Sequence, residues 1–339
     1  ADQVAGGTGG ILFANPHLPW EGELRFAEVH LTAGDVDIYG AQLIGLPGVG
    51  IGFTDTVAWS HTVSAGHRFT AYTVDLVPES PTSYLVDGEP VDMVATDYTV
   101  EILRPDGTVD AETRTLYRTE YGPVIALGGI GWSDTQVATF RDANIDNRAF
   151  VEMYADLLDV TDLADLQATH ERHQGAAWFN TVAVDSAGDV WYADTAATPN
   201  LSAEAEQLFL ERRLAGIGAT NAAFDQGIIL LDGSDSRFRW EEVDGARNPG
   251  LVPFAEQPQV QRRDHVFNAN DSFWVPNADA TLTGDFSLLH GPQNAPLSMR
   301  TRQNAAVLAA ANPLGAAGAD SLFDADEVRT AAFDNLAHT

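Results

Sequence analysis

The 339-residue sequence contains no cysteine. That excludes disulfides, Cys-ligated zinc and a cysteine nucleophile within the segment. Lysine is missing as well: all 18 basic residues are arginine, and against 49 acidic residues they leave a formal charge of −31. So acidic a surface repels phosphate backbones and anionic membranes, which argues against nucleic acid as a partner. An Asp-rich, Lys-free composition fits either a salt-adapted host or a GC-rich genome. No apolar run approaches the roughly 18 residues of a membrane helix, so no membrane insertion is expected. Neither an initiating Met nor a signal-peptide pattern is present, and the sequence reads as a processed chain or a fragment. No Gly-x-Ser-x-Gly elbow occurs, which weakens a conventional serine triad.

What is there is enough apolar material for a sizeable core, 45% of the residues. The first 140 residues or so read as strands and turns. Ile11-Leu12-Phe13 is a short apolar strand, and Phe69–Leu76, Tyr98–Leu103, Thr113–Arg118 and Gln136–Phe140 are further β runs. Asp87-Gly88 and Asp106-Gly107 are hairpin-type turns. Residues 147–172 change to a helical period, with Phe150, Tyr154 and Leu157 or Leu158 on one stripe and Thr161 as N-cap of a second helix. A hairpin follows, Asn180–Asp185 and Asp189–Asp194 about Ser186-Ala187-Gly188. Residues 203–214 read as a helix, 232–263 as loop, and 300–312 and 325–337 as helices. Such alternation predicts a layered α+β fold.

Several constellations invite chemistry. His17 is pinned between two prolines in Asn15-Pro16-His17-Leu18-Pro19-Trp20. Ser60, His61 and Ser64 lie in one predicted strand, where neighbours point to opposite faces, so Ser60 and His61 do not meet easily. His170-Glu171-Arg172-His173 has i, i+3 spacing rather than the i, i+4 of a zinc helix and reads as a solvated helix end. The Asn side chains of Asn268-Ala269-Asn270-Asp271-Ser272 suit either an oxyanion or a turn. Arg300 and Arg302 open a helix, paired with carboxylates or orienting a site group.

Taken in order, Asn15–Trp20, Thr56–Val63, Trp178–Thr181, Tyr192–Asp194, Leu231–Ser234 and Asn268–Ser272 resemble the β chain of the penicillin acylase family of N-terminal nucleophile hydrolases. The flavour is that of the acyl-homoserine lactone and aculeacin-type acylases. The resemblance runs from about Ile11 to Arg302. It implies a four-layer αββα sandwich truncated at both ends, with residues 1–339 one incomplete β-chain domain. It implies a serine nucleophile at a processed N-terminus upstream of residue 1, the α-amine acting as base. His17 would support that serine, the Val63 N–H and the Asn270 side chain would hold the oxyanion, and Arg300 would orient Asn270. Asn268 is the alternative should the register slip. Leu18, Leu46, Trp178 and Phe179 would line the acyl pocket.

The implied reaction removes acyl chains from N-acyl homoserine lactones or lipopeptides through a seryl acyl-enzyme. Alternatives are a β-lactam acylase, a non-catalytic relative that binds or scaffolds, and a conventional hydrolase using Ser64 or Ser60. The implied partner is an α chain cut from the same precursor, and the implied location periplasmic or extracellular. No cofactor is implied. The Asp-containing calcium loop of the penicillin G acylase branch is not recognisable after Val63, where Ala65-Gly66-His67-Arg68 stands, so no metal is expected.

Overall fold

The computed structural model describes residues 2–125, 131–309 and 316–334. Four strands come first: β1 (Phe26–Ala33), β2 (Val36–Leu43), β3 (Ile51–Phe53) and β4 (Val57–Val63). Seven more follow, β5 (Phe69–Val77), β6 (Ser80–Val86), β7 (Glu89–Asp92), β8 (Val94–Leu103), β9 (Val109–Thr119), β10 (Gly122–Ile125) and β11 (Gln136–Asp142). Helices α1 (Ala149–Asp156) and α2 (Leu163–His173) precede β12 (Phe179–Asp185) and β13 (Val190–Ala193). Then come α3 (Ala203–Leu214), α4 (Gly218–Phe224), β14 (Leu230–Asp232), β15 (Gln259–Arg262), α5 (Met299–Leu308) and α6 (Ala325–Phe333). The fold is thus mixed α/β.

These elements fall into two compact units. The first comprises Ala1–Gly66, Asp146–Thr198 and Val243–Thr339. Its sheet is antiparallel throughout, in the order β1-β2-β3-β4-β12-β13-β15. Period-2 alternation turns Trp59 on β4, Phe179 and Ala183 on β12, and Trp191 and Ala193 on β13 to one face. There they meet Met153, Tyr154 and Leu157 of the first helical stretch and Leu163 and Leu166 of α2. Burying large apolar side chains of this kind contributes about 1.5–3 kcal/mol each. Close approach needs glycine at Gly175, where a Cβ would overlap the Ala149 carbonyl oxygen at the start of α1.

The chain's first residues are tied into this unit. Val4 bridges Phe323 in parallel, just ahead of α6. The Phe323 amide donates to the Gln3 carbonyl at 2.7 Å, and Gln3 Oε1 meets His265 Nδ1 at 2.9 Å. Further on, Gly10 lies against the Val184 side chain of β12, leaving no room for a Cβ.

The second unit comprises His67–Ile145 and Pro199–Glu242. Its sheet runs β7-β6-β5-β11-β10-β9-β8, with β14 parallel to β5. Asp87 and Gly88 both have positive φ, as a two-residue hairpin turn between β6 and β7 requires.

Most predicted elements appear where expected, with instructive departures. Ile11–Phe13 pairs in no ladder, so it is not a strand. The N-cap of α2 is Asp162, whose carboxylate accepts from the Asp165 amide; Thr161 lies one residue outside. His170 does not sit on a solvated helix end: it is 1% exposed, edge-on to Trp191. Glu171 and Arg172 are exposed, and Arg172 and His173 meet the Asp156 carboxylate. β15, α4 and β14 arise in or near stretches without strong periodicity. Helices α5 and α6 match their predicted spans as far as Leu308 and Phe333; residues 310–312 and 335–337 lie outside the described residues.

Candidate active site

The first unit carries a cleft of about 120 Å³ on the helix-bearing face of its sheet. Its mouth includes Asn15, Pro16, His17 and Leu18, and Asn270 stands beside them. The rest of the lining comes from Phe26, Leu43 and Ile51, from His61 and Val63 on β4, from Phe150 and Tyr154 on α1, and from Trp178 and Phe179. Of the residues singled out from sequence, His17, Leu18, Val63, Trp178, Phe179 and Asn270 therefore converge here. Leu46 does not: its amide donates to the Leu43 carbonyl in the turn after β2, and it is Leu43 that lines the cleft.

Arg300 reaches the site through Asn270. Its Nη2 donates to Asn270 Oδ1 at 3.0 Å, and Asn270 Nδ2 donates to the Val63 carbonyl at 3.1 Å. Nδ2 bears two hydrogens, so one remains to donate elsewhere. Asn270 has φ 67°, the left-handed region that Asn tolerates better than most residues. The loop is fastened on both sides. The Asn270 amide donates to Asn268 Oδ1, and Asp271 Oδ2 accepts from the Ser298 amide at the N-cap of α5. Arg300 follows in the first turn of that helix.

The ladder between β4 and β12 orients the Val63 amide. The neighbouring Ser64 amide donates to the Trp178 carbonyl at 3.0 Å, toward β12. Alternation in an antiparallel pair turns the Val63 N–H and C=O to the opposite edge. β3 pairs only with Ala58 and Trp59 and so ends short of Val63, whose amide stays outside the ladder at the cleft wall. The Val63 carbonyl receives Asn270 on that same edge.

Asn268, the alternative oxyanion residue, is spent on structure. Its Oδ1 accepts from Thr62 Oγ1, Asn180 Nδ2 and the Asn270 amide, and its Nδ2 donates to the Asp271 carbonyl. Ser60 and His61 lie on opposite faces of β4, as alternation requires. Ser64 Oγ donates to Asp194 Oδ2 at 2.7 Å, which places that hydroxyl proton on a buried carboxylate.

His61, Phe150 and Tyr154 are cleft residues that sequence reasoning did not assign to the site. The His61 ring lies on Phe179 with centroids 4.2 Å apart, and its Nδ1 stands 3.3 Å from the Asn180 carbonyl and from Thr181 Oγ1. Burial lowers its pKa to about 4, against the pull of the Asn180 and Gly50 carbonyls, so the ring is neutral near pH 7. Phe150 and Tyr154 belong to the helical stripe read from sequence. The signal was visible, but an apolar stripe does not say which part of it faces a core and which a cleft.

The penicillin amidase family model matches residues 4–339. The chain is 37% identical over 295 residues to the acyl-homoserine lactone acylase PvdQ of Pseudomonas fluorescens strain Pf-5, covering 86% of this chain and 37% of that protein. It is 36% identical over 295 residues to the aculeacin-A acylase of Actinoplanes utahensis, covering 86% and 36%. Among solved structures it resembles a thermostable penicillin G acylase from Alcaligenes faecalis, with a TM-score of 0.58, 16% identity, and coverage of 84% of this chain and 45% of that one. That likeness bears on the fold alone. The chain spans a little over a third of the length of the curated relatives it matches. On the extent of the family match and the identity to these acylases, the chain belongs to the penicillin amidase family.

Proposed function

We propose that the protein to which this chain belongs is an amidohydrolase that removes acyl chains from amides, with N-acyl homoserine lactones or lipopeptides of medium to long chain as substrates. One observation carries the reading. Asn270, whose side-chain amide is held by Arg300 and donates to the Val63 carbonyl, and Val63, whose own amide lies outside the ladder, line one apolar cleft. Two fixed donors there suit the oxyanion of acyl transfer, each worth about 3 kcal/mol of transition-state stabilisation. Apolar and aromatic walls suit an aliphatic tail.

In this reading the nucleophile is the hydroxyl of an N-terminal serine, with its own α-amine as base. Such an amine has a pKa near about 8, so it accepts a proton close to neutral pH. Serine Oγ bonds to the carbonyl carbon while its proton passes to the amine. Collapse of the tetrahedral intermediate breaks the C–N bond, and the leaving nitrogen takes that proton. Water then hydrolyses the acyl ester by the same route in reverse. His17, at the cleft mouth, supports the serine and its amine. An α chain from the same precursor completes the acyl pocket. Residues 1–339 belong to the β chain of a four-layer αββα sandwich, and the enzyme works outside the cytoplasm.

The test is incubation of the processed, full-length protein with N-dodecanoyl homoserine lactone and with a lipopeptide. Release of free fatty acid and amine, with an acyl adduct on an N-terminal serine trapped by acid quench and seen by mass spectrometry, is expected. Absence of both product and adduct on every acyl amide tried would sink the reading.

A further inference from the structure

Helix α5 begins against the local rules for helix starts. Its first turn carries Arg300 and no acidic residue, although the N-terminal end of a helix dipole favours anions over cations. Its cap is also incomplete within its own sequence. Ser298 Oγ accepts from the Thr301 amide at 3.2 Å, but Thr301 stands where a Glu or Gln would reach back to the cap amide. Helix α6 shows the complete form: the Asp324 carboxylate accepts from the Glu327 amide, and the Glu327 carboxylate accepts from the Asp324 amide. In α5 the missing carboxylate comes from the loop. Asp271 Oδ2 accepts from the Ser298 amide at 2.8 Å, across 27 residues of sequence.

Asp271 adjoins Asn270, and Arg300 lies within a turn of Ser298. The contact of Arg300 Nη2 with Asn270 Oδ1 at 3.0 Å therefore closes a ring. It runs from Asn270 to Asp271 through the chain, from Asp271 to Ser298 through the cap, along the first turn to Arg300, and back to Asn270. Asn268 Nδ2 donates to the Asp271 carbonyl at 3.0 Å, which holds the backbone that bears the carboxylate. We propose that Asp271 is a positioning residue for the Asn270 amide: it completes the cap of α5 from the loop and so keeps Arg300 on Asn270. An arginine at a helix start breaks a local rule, as residues kept for function do, and the Asp271 carboxylate offsets the cost. The proposal rests on the acylase reading for what the Asn270 amide does, and adds the residue that ties its loop to the helix.

The test is a double-mutant cycle on the full-length protein with N-dodecanoyl homoserine lactone. Asp271→Ala should lower kcat about tenfold with KM little changed, and in an Arg300→Ala background it should cost less than about twofold, because the path through Arg300 is already cut. A residue serving stability alone would lower kcat by the same factor in both backgrounds. Asp271→Asn keeps an oxygen for the Ser298 amide and should recover most of the lost kcat. Equal factors in the two backgrounds, or a kcat for Asp271→Ala within about twofold of the parent, would overturn the assignment. Crystal structures of the parent and of Asp271→Ala ask the same question without substrate. The contact between Arg300 and Asn270 should be lost in the variant, and its survival would also overturn the assignment. A protein that cleaves no acyl amide but loses that contact in Asp271→Ala would forfeit the acylase reading and keep the positioning role.

Discussion

Arg300 Nη2 sits 3.0 Å from Asn270 Oδ1, and that contact sets which end of the Asn270 amide meets the Val63 edge of β4. A guanidinium can only donate, so the oxygen must face Arg300 and the nitrogen must face Val63. Flipping the amide would set N–H against N–H on one side and oxygen against a carbonyl on the other.

Asn270→Ala should lower kcat about 10²-fold or more with little change in stability, because it removes a donor from an exposed loop. Arg300→Ala should lose part of that, since Asn270 keeps its nitrogen but not its orientation. Asn268→Ala should instead lower the melting temperature, as it strips several hydrogen bonds from the loop. Steady-state kinetics and thermal melts on the three variants separate these outcomes; a kcat collapse in Asn268→Ala with Asn270→Ala near normal would reverse the assignment.

Trp178 is 44% exposed and stacks on Phe150 at 6.0 Å, whereas Phe179 is 7% exposed in the core cluster. Trp178→Ala should shift the preferred acyl-chain length at nearly unchanged stability. Phe179→Ala should cost about 3–5 kcal/mol. An unaltered chain-length profile in Trp178→Ala would return that residue to a packing role.

Adding one methyl at Gly175 should disturb the cleft from outside it. The Cβ of Gly175→Ala would overlap the Ala149 carbonyl, and α1 carries Phe150 and Tyr154. A loss of about 1–3 kcal/mol and a raised KM are expected, read from urea melts and substrate titration.

Acid should destabilise the protein through its buried imidazoles. Burial lowers the pKa of His170 to about 3 and that of His61 to about 4, from an ordinary 6.5. Above pH 6.5 neither the folded nor the unfolded chain holds these protons. Below it the unfolded chain takes them up and the native one does not. Stability therefore falls as pH drops from 6.5 to about 3, by up to about 1.4 kcal/mol per pH unit for His170, with His61 adding in the same sense down to about 4. His170→Leu should flatten the pH dependence of chemical denaturation over that window. A curve parallel to the parent's would show that His170 is not buried neutral.

Local chemistry made much of this legible. The turn at Asp87-Gly88, the hairpin about Ser186–Gly188 and the strand that ends in Val63 depend on residues close in sequence, and the structure has them. Thr161 missed the cap by one because both it and Asp162 are good caps; the choice falls to which side chain reaches the Asp165 amide. Ile11–Phe13 has strand composition but pairs in no ladder, and composition does not report a partner. His170 was misread because a polar sequence on a helix says nothing of the sheet beneath it. At the site, the pairing of Arg300 with Asn270 that the resemblance implied is present as a hydrogen bond. The place of Tyr154 and His61 in the cleft was not legible, since whether a ring faces core or cleft depends on residues more than a hundred positions away.

The bridge between Val4 and Phe323 has a mechanical side. Phe323 stands immediately before Asp324, the N-cap of α6, whose capping box with Glu327 fixes where that helix begins. The lead into His17 is therefore moored to a helix start that touches no part of the cleft. A second hold follows at Gly10, packed on the Val184 side chain of β12, so the lead is fastened to both a helix start and a strand before it reaches the imidazole.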